Sequence, residues 1–271
     1  MAGPVSPLFL ERYELKYRIP MSLVRPISNF IESFCEMDHY SATSPDHFYT
    51  INSLYLDSPR LFFLQQKEAG VSNRFSMRIR SYGDDPKPPY FFETKYKMRE
   101  FVKKRRGKVG LTNWAELFDR PELVEELEED SRDNARHFLD IASIYNASPV
   151  IFAQYRRLAY ISTIDDYARV TFDRDLRYMP TNEFTVKPVE KRMVHYDDLE
   201  AFIEPGTNVV LELKCERKVP VWIVDLIRQF DLTQGSFSKY HSSMAHQHQS
   251  LWGEEAFDMF PGEGFAPLLS R

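Results

Sequence analysis

Two cysteines, Cys35 and Cys215, are all the thiol in this 271-residue chain, and no CxxC pair exists. That scarcity excludes a disulfide scaffold and a zinc site of ordinary spacing, and predicts free, buried thiols in a reducing compartment. No apolar run approaches the roughly 18 residues of a membrane helix. The first residues, Met1 to Phe9, lack both the basic start and the apolar core of a signal peptide. The expectation is a soluble, cytoplasmic protein. A P-loop (GxxxxGKS or GxxxxGKT), a GxGxxG loop and a GxSxG nucleophile elbow are also missing, which excludes the usual nucleotide-binding loops and the hydrolase elbow. There is no internal repeat, no low-complexity segment and no linker that would force two domains.

Apolar residues make up 43% of the chain, with 21 Phe and 15 Tyr, ample material for a core and enough to set disorder aside. The net charge of −5 hides a segregation. Trp114 to Asn146 is acidic, with Glu122, Glu125, Glu126, Glu128, Glu129 and Asp130 close together, whereas Lys103-Lys104-Arg105-Arg106 is basic. Bulk charge argues against nucleic-acid binding. Local charge argues for an anionic ligand, because a cleft with low-dielectric walls focuses positive potential even in an acidic protein.

Several segments that read as β-strands carry a charge at every second position. Arg12, Glu14, Lys16 and Arg18 alternate with Tyr13, Leu15, Tyr17 and Ile19; the pattern recurs over 74–80, 92–97 and 210–216. Successive strand side chains point to opposite faces, so each segment has one ionic and one apolar face. One such strand is an ordinary sheet with a wet side. Four or more, in a chain with helices to cover the apolar faces, predict a sheet curled around an ionic interior.

Further strands are expected at 49–57, 90–97, 100–108, 150–162, 168–176 and 208–216, with a hairpin turn at 83–89. Helices are expected from Leu23 to Phe34, at 61–68, within 113–146 with Asn113 as N-cap, and at 219–230. Gly235 to Met244 reads as a loop entering a short helix, and the chain from His246 onward as a weakly patterned tail. The expected division is a domain over 8–245 and a tail over 246–271.

Arg78 and Arg80 share one strand face, as do Lys95 and Lys97, while Arg157 and Arg169 lie on later strands. Guanidinium forks match phosphate oxygens, and lysines act as point charges. Glu14, Glu93 and Glu212 sit among cations, either as structural counter-charges or as ligands of Mg²⁺ or Mn²⁺, which bind through one or two carboxylates plus substrate phosphates. Asp173 and Asp175 are further candidates. His246 and His248 read as solvent-exposed. Ser238-Lys239-Tyr240 stands where a helix start could hold a phosphate, or simply as an N-cap serine with an exposed lysine.

The ordered series RxExKY, SLYxDSP, RxRxYG, ETK, VKKR, YRR, RVTFDRD, LELK and FSKY, from about Glu11 to Met244, resembles the VTC domain. This is the polyphosphate polymerase domain of the vacuolar transporter chaperone family, in the triphosphate tunnel metalloenzyme superfamily. The resemblance implies a mainly β (α+β) fold, a closed antiparallel β-barrel tunnel of about eight strands with packing helices. It implies transfer of the γ-phosphate of ATP to a growing polyphosphate chain, with Mn²⁺ or Mg²⁺. Carried over by motif, Lys16, Arg78, Arg80, Lys95, Arg157, Arg169 and Lys239 hold phosphates as catalytic cations. Lys103, Lys214 and Ser238 join them in binding substrate, and Glu212, with Glu14, would hold the metal.

Cyclase and thiamine-triphosphatase-like relatives carry ExExK, but here Arg12 replaces the first acid, which fits the polymerase branch and counts against a cyclase. The absence of an SPX region and of membrane segments resembles a stand-alone, bacterial-type member whose membrane coupling, if any, comes from a partner protein. ATP and polyphosphate are the expected partners, not nucleic acid. The same cradle would serve a tripolyphosphatase or nucleoside triphosphatase, or a polyphosphate-binding module without catalysis.

Overall fold

The computed structural model describes residues 12–98, 101–195, 208–216 and 218–252. Its strands are β1 (Arg12–Ile19), β2 (Cys35–Met37), β3 (Tyr49–Asp57), β4 (Asn73–Tyr82), β5 (Tyr90–Met98), β6 (Phe101–Val109), β7 (Ser148–Ser162), β8 (Ala168–Pro180), β9 (Val194–His195) and β10 (Val209–Glu216). The helices are α1 (Val24–Ile31), α2 (His39–Thr43), α3 (Phe62–Glu68), α4 (Glu129–Tyr145), α5 (Val221–Gln229) and α6 (Lys239–Trp252). All strand pairs are antiparallel, in the order β1-β10-β8-β7-β3-β4-β5-β6, with β2 beside β7 and β9 beside β8.

The α+β, antiparallel architecture agrees with the sequence expectation; the closed barrel does not. Among the described residues the ladder has two ends, β1 and β6. Both end strands carry an excess of cations, with Lys16 and Arg18 beside Glu14 on one and the run Lys103 to Arg106 on the other. Like charge on two edges opposes their pairing.

The outer face of the sheet is apolar, as the alternation requires. On one half, Met77, Ile79, Phe92 and Val109 pack under Phe138, Leu139 and Ala142 of α4. On the other, Tyr17, Ile19, Leu211 and Leu213 pack under α1 (Ile27, Ile31) and α5 (Trp222, Ile223, Leu226). Each fully buried side chain of this size contributes about 1.5–3 kcal/mol. Gly107 is where α4 comes closest: a Cβ there would lie 2.7 Å from the backbone nitrogen of Ala135. A third cluster lies on the inner face, where Tyr240 and Met244 of α6 meet Tyr55, Ile151 and Tyr155.

Local details depart from the sequence reading. The acidic stretch is two 3₁₀ turns (Trp114–Phe118 and Pro121–Glu126) followed by α4, and the Asn113 side chain makes no cap bond. Helix α6 runs to Trp252, across the expected boundary at 245/246. His246 is half-buried against the Tyr178 hydroxyl at 2.8 Å, not in a solvent-exposed tail. Cys35 and Cys215 are free and buried, as expected. No helix among the described residues is long and apolar enough to cross a membrane.

Candidate functional site

Strand register fixes which charges share the inner face. Arg78 pairs with Glu93 and Glu93 with Arg106, while Lys95 pairs with Lys104. In the other half of the sheet, on the same face, Lys16 pairs with Glu212, Glu14 with Lys214, Lys214 with Arg169, and Arg157 with Asp173. Three ionic centres result.

The first is built on Glu93, 1% exposed. Arg78 Nε donates to Glu93 Oε2 at 2.7 Å, Lys104 Nζ lies 2.5 Å and Arg106 Nε 3.2 Å from Oε1, and Arg80 Nε stands 3.8 Å away. Burial alone would raise the Glu93 carboxyl, but Arg80, Arg78 and Lys104 hold it well below the usual range. One carboxylate cannot satisfy four cations. Burial, helped by Arg78 and Arg80, pushes the Lys104 ammonium well below its ordinary value despite Glu93. The buried Nε–H of Arg80 has no hydrogen-bond acceptor among the described residues. A buried donor left in this way costs about 1–3 kcal/mol, which an entering anion would recover.

The second centre is Asp173. Arg157 binds it with both arms, at 2.6 and 2.7 Å, and Lys239 Nζ donates to it at 2.6 Å. Burial opposes ionisation, yet Arg157 and Lys239 take the carboxyl down to about 2. Tyr155 lies beneath, its ring 4.2 Å from Lys239 Nζ and its hydroxyl accepting from Arg80 Nη2 at 3.4 Å. Lys239 is therefore a half-buried member of the site rather than an exposed lysine. Ser238 caps α6, its Oγ accepting from the amide of His241 at 3.4 Å.

In the third centre Glu14 and Glu212 meet carboxyl to carboxyl. Lys16 Nζ lies 3.1 Å from Glu14 and 3.4 Å from Glu212, Lys214 is 3.0 Å from Glu212, and Lys95 2.9 Å from Glu14. Burial opposes the charge on Glu212, but Lys214, Lys16 and Arg157 keep it well below the usual range. Among the described residues no group of three metal-ligating side chains forms. The pair suits Mg²⁺ or Mn²⁺ bound through two carboxylates and completed by phosphate oxygens, and not a cage made by protein alone.

Every catalytic cation expected from the sequence lies on the inner face: Lys16, Arg78, Arg80, Lys95, Arg157, Arg169 and Lys239. Arg169 there pairs with Asp38 at 2.9 Å. Lys103 does not. It pairs with Tyr96, which packs into the outer core, and it lies near His137 of α4. Lys104 and Arg106 occupy the inner positions instead. In Lys103-Lys104-Arg105-Arg106 every residue is cationic, so alternation carries no phase there; the nearby Gly107, turned toward α4, supplies it. Asp175, with a left-handed φ of 53°, is exposed and pairs with its neighbour Arg174 rather than joining the carboxylates.

Two further residues escaped the sequence reading. Lys67, on α3, lies within electrostatic reach of Lys16, Arg74 and Lys95, with Glu68 as its acidic neighbour. Burial first, then those cations, push it down to about 7. Asp57 accepts from the amides of Ser58, Phe63 and Leu64 and from the Tyr240 hydroxyl. Asp57 of the SLYxDSP motif thus anchors α3 and α6 over the site.

The sequence profile of the VTC domain matches residues 11–248. No curated protein matches the chain. Among solved structures, a candidate adenylate cyclase from Vibrio parahaemolyticus is similar at 10% identity, over 87% of this chain and 99% of that one, with a TM-score of 0.46. The PH1819 protein of Pyrococcus horikoshii is similar at 10% identity over 88% and 99%, TM-score 0.43. A candidate adenylyl cyclase from Hippeastrum, described as having a dominant triphosphatase activity, is similar at 14% identity over 86% and 94%, TM-score 0.43.

Proposed function

The chain belongs to the VTC domain family, and from that premise we propose that it is a metal-dependent polyphosphate polymerase acting on ATP. It would pass the γ-phosphate to the end of a polyphosphate chain and release ADP. The observation that carries this reading is the ratio of charge around Glu93: one buried carboxylate for Arg78, Arg80, Lys104 and Arg106. Fixed positive charge in that excess suits a string of phosphates and has no obvious use in a purely structural network.

In the transfer, an oxygen of the acceptor's terminal phosphate attacks the γ-phosphorus. The bond from that phosphorus to the β–γ bridging oxygen breaks, and ADP leaves with the electron pair. Little covalent help is needed from protein; alignment and charge neutralisation supply most of the rate. Arg78, Arg80 and Lys104 would hold one reacting phosphate, and Arg157, Lys239 and Lys16 the other. Lys104 takes the part that the sequence resemblance gave to Lys103, with Lys214, Arg169 and Ser238 flanking. Glu14 and Glu212 would hold a divalent cation, which supplies Lewis-acid neutralisation of phosphate charge. The curled sheet would serve as the tunnel, with its seam between β1 and β6.

The test is purified protein with ATP and Mn²⁺, resolved on a gel stained for polyphosphate, beside Glu212→Gln. A ladder of long chains that vanishes in the variant is the expected result. Free phosphate without a ladder would make the protein a hydrolase on the same cradle. Tight polyphosphate binding with neither product would make it a binding module.

A further inference from the structure

The inner face changes chemistry along its length. At one end cations predominate, where Lys16, Lys95, Arg74 and Lys67 gather around Glu14 and Glu68. At the other end it is aromatic. Tyr49 near the start of β3, Tyr82 at the end of β4 and Phe91 near the start of β5 lie at the same rim, and Tyr40 of α2 leans over them. The Tyr40 and Tyr82 rings are stacked, 5.6 Å apart and 8° from parallel, and Tyr49 lies 5.4 Å from Tyr40. Phe91 meets Tyr82 edge-on at 5.7 Å. Unlike the buried aromatics of the outer cores, Tyr40 is 52% exposed.

This rim is joined directly to the phosphate cradle. Arg106 lies 3.7 Å over the Phe91 ring and donates to the Tyr82 hydroxyl at 2.9 Å, while its Nε faces Glu93 at 3.2 Å. Tyr82 is two residues beyond Arg80 on the same strand face, and Phe91 is the cross-strand partner of Arg80. Two residues of strand cover about 7 Å, a step that the ribose and phosphates of a nucleotide span.

We propose that the aromatic rim is the platform on which the donor nucleotide's base stacks, continuing the Tyr82–Tyr40 stack, with its triphosphate lying inward over Arg106 and Arg80. The inference rests on the triphosphate reading above and gives the tunnel a direction: nucleoside at the aromatic end, growing chain toward the Lys67 end. Aromatic faces stack any base, so the platform favours nucleotides over inorganic phosphates and discriminates little among bases. Arg106 adds a cation at the boundary between base and phosphates.

Calorimetric titration of ATP and of inorganic tripolyphosphate, at one Mg²⁺ concentration, tests the platform with wild type, Tyr40→Ala and Tyr40→Trp. Tyr40 lies on α2, outside the sheet and the phosphate cradle, so its loss should spare both. The expected result is a roughly tenfold loss of ATP affinity in Tyr40→Ala, with tripolyphosphate unchanged within about twofold and Tyr40→Trp restoring ATP binding. No effect on either ligand, or an equal effect on both, would overturn the platform while leaving the triphosphate reading intact. If wild type fails to bind tripolyphosphate at all, the parent reading falls and the platform with it.

Discussion

Lys95 Nζ lies 2.9 Å from Glu14 Oε2 and joins β5 to β1, two strands with five others between them in the hydrogen-bonded ladder. The contact crosses the interior. It shows that the sheet is curled far enough for β5 and β1 to meet by side chains, although their backbones do not pair. The Lys95 ammonium is pushed below its ordinary value by burial and by Lys16, against the pull of Glu14. A cation in that state gains from any further anion that enters.

Lys95→Met is therefore expected to weaken tripolyphosphate binding by about tenfold while leaving the fold in place. Both partners are partly exposed, so the pair adds no more than about 1 kcal/mol to stability. Calorimetry and a thermal melt on the same sample check the two halves. A melting temperature lowered by more than about 10 °C would mean that this contact, and not the ladder, maintains the curl.

Arg80 and Arg157 separate binding from folding. Arg80 leaves Glu93 with three other cations, so Arg80→Ala should fold normally and lose activity by about a hundredfold or more. Arg157 makes the two-armed bond to Asp173, buried beside Lys239. Arg157→Ala should cost about 3–5 kcal/mol, because it breaks a buried two-armed pair and leaves the Asp173 carboxylate with Lys239 alone. Urea denaturation of both variants, read against polyphosphate synthesis, distinguishes them. Equal destabilisation would erase the distinction.

Asp173 predicts an acid limb to stability. Its folded value, about 2, lies below that of an unfolded Asp, so the unfolded chain binds more protons as pH falls through this range. The contribution, about 2 kcal/mol, is fully present above pH ~4 and is lost as pH falls toward 2. Asp173→Asn removes it. The stability gap between wild type and variant should be widest near pH 7 and should narrow between pH 4 and 2. A gap constant with pH would mean that Asp173 is not held ionised by Arg157 and Lys239.

Period-2 alternation was enough to read the strands that carry Lys16, Arg78, Arg80, Lys95 and Glu212, because each has an apolar residue on alternate positions to set its phase. It failed on β6, where Lys103 to Arg106 offer no contrast, and the phase comes only from pairing with β5 and from Gly107 against Ala135. The ladder's two ends were not legible either, since local patterning says nothing about whether distant edges meet. Short α2 and β2 carry too few residues for a period. The aromatic rim depends on α2, so it too appears only once the chain is folded. Lys67 was hidden for another reason: a lone lysine on a short helix looks solvated until α3 is seen docked beside Lys16 and Lys95.

That lysine gives the sharpest pH test. Burial and its cationic neighbours lower Lys67 to about 7, so above that pH it is largely neutral in the free protein. Its neighbour His241, lowered to about 4 by burial and by Lys67 itself, stays neutral throughout this range, and Lys16, held above its ordinary value by Glu212 and Glu14 despite burial, stays charged. Between pH 7 and about 10 the unfolded chain binds one more proton at this position, so this lysine makes stability rise with pH there. Ligand binding should run the other way. A phosphate chain restores the favourable charge on Lys67, so binding takes up a proton, and affinity should fall by up to tenfold per pH unit above 7. Lys67→Met should remove that uptake, flattening the pH profile of polyphosphate affinity between pH 7 and 9 while lowering affinity at pH 6. Titration in two buffers of different ionisation enthalpy counts the proton directly. An uptake unchanged in Lys67→Met would assign it to another group and take Lys67 out of the site.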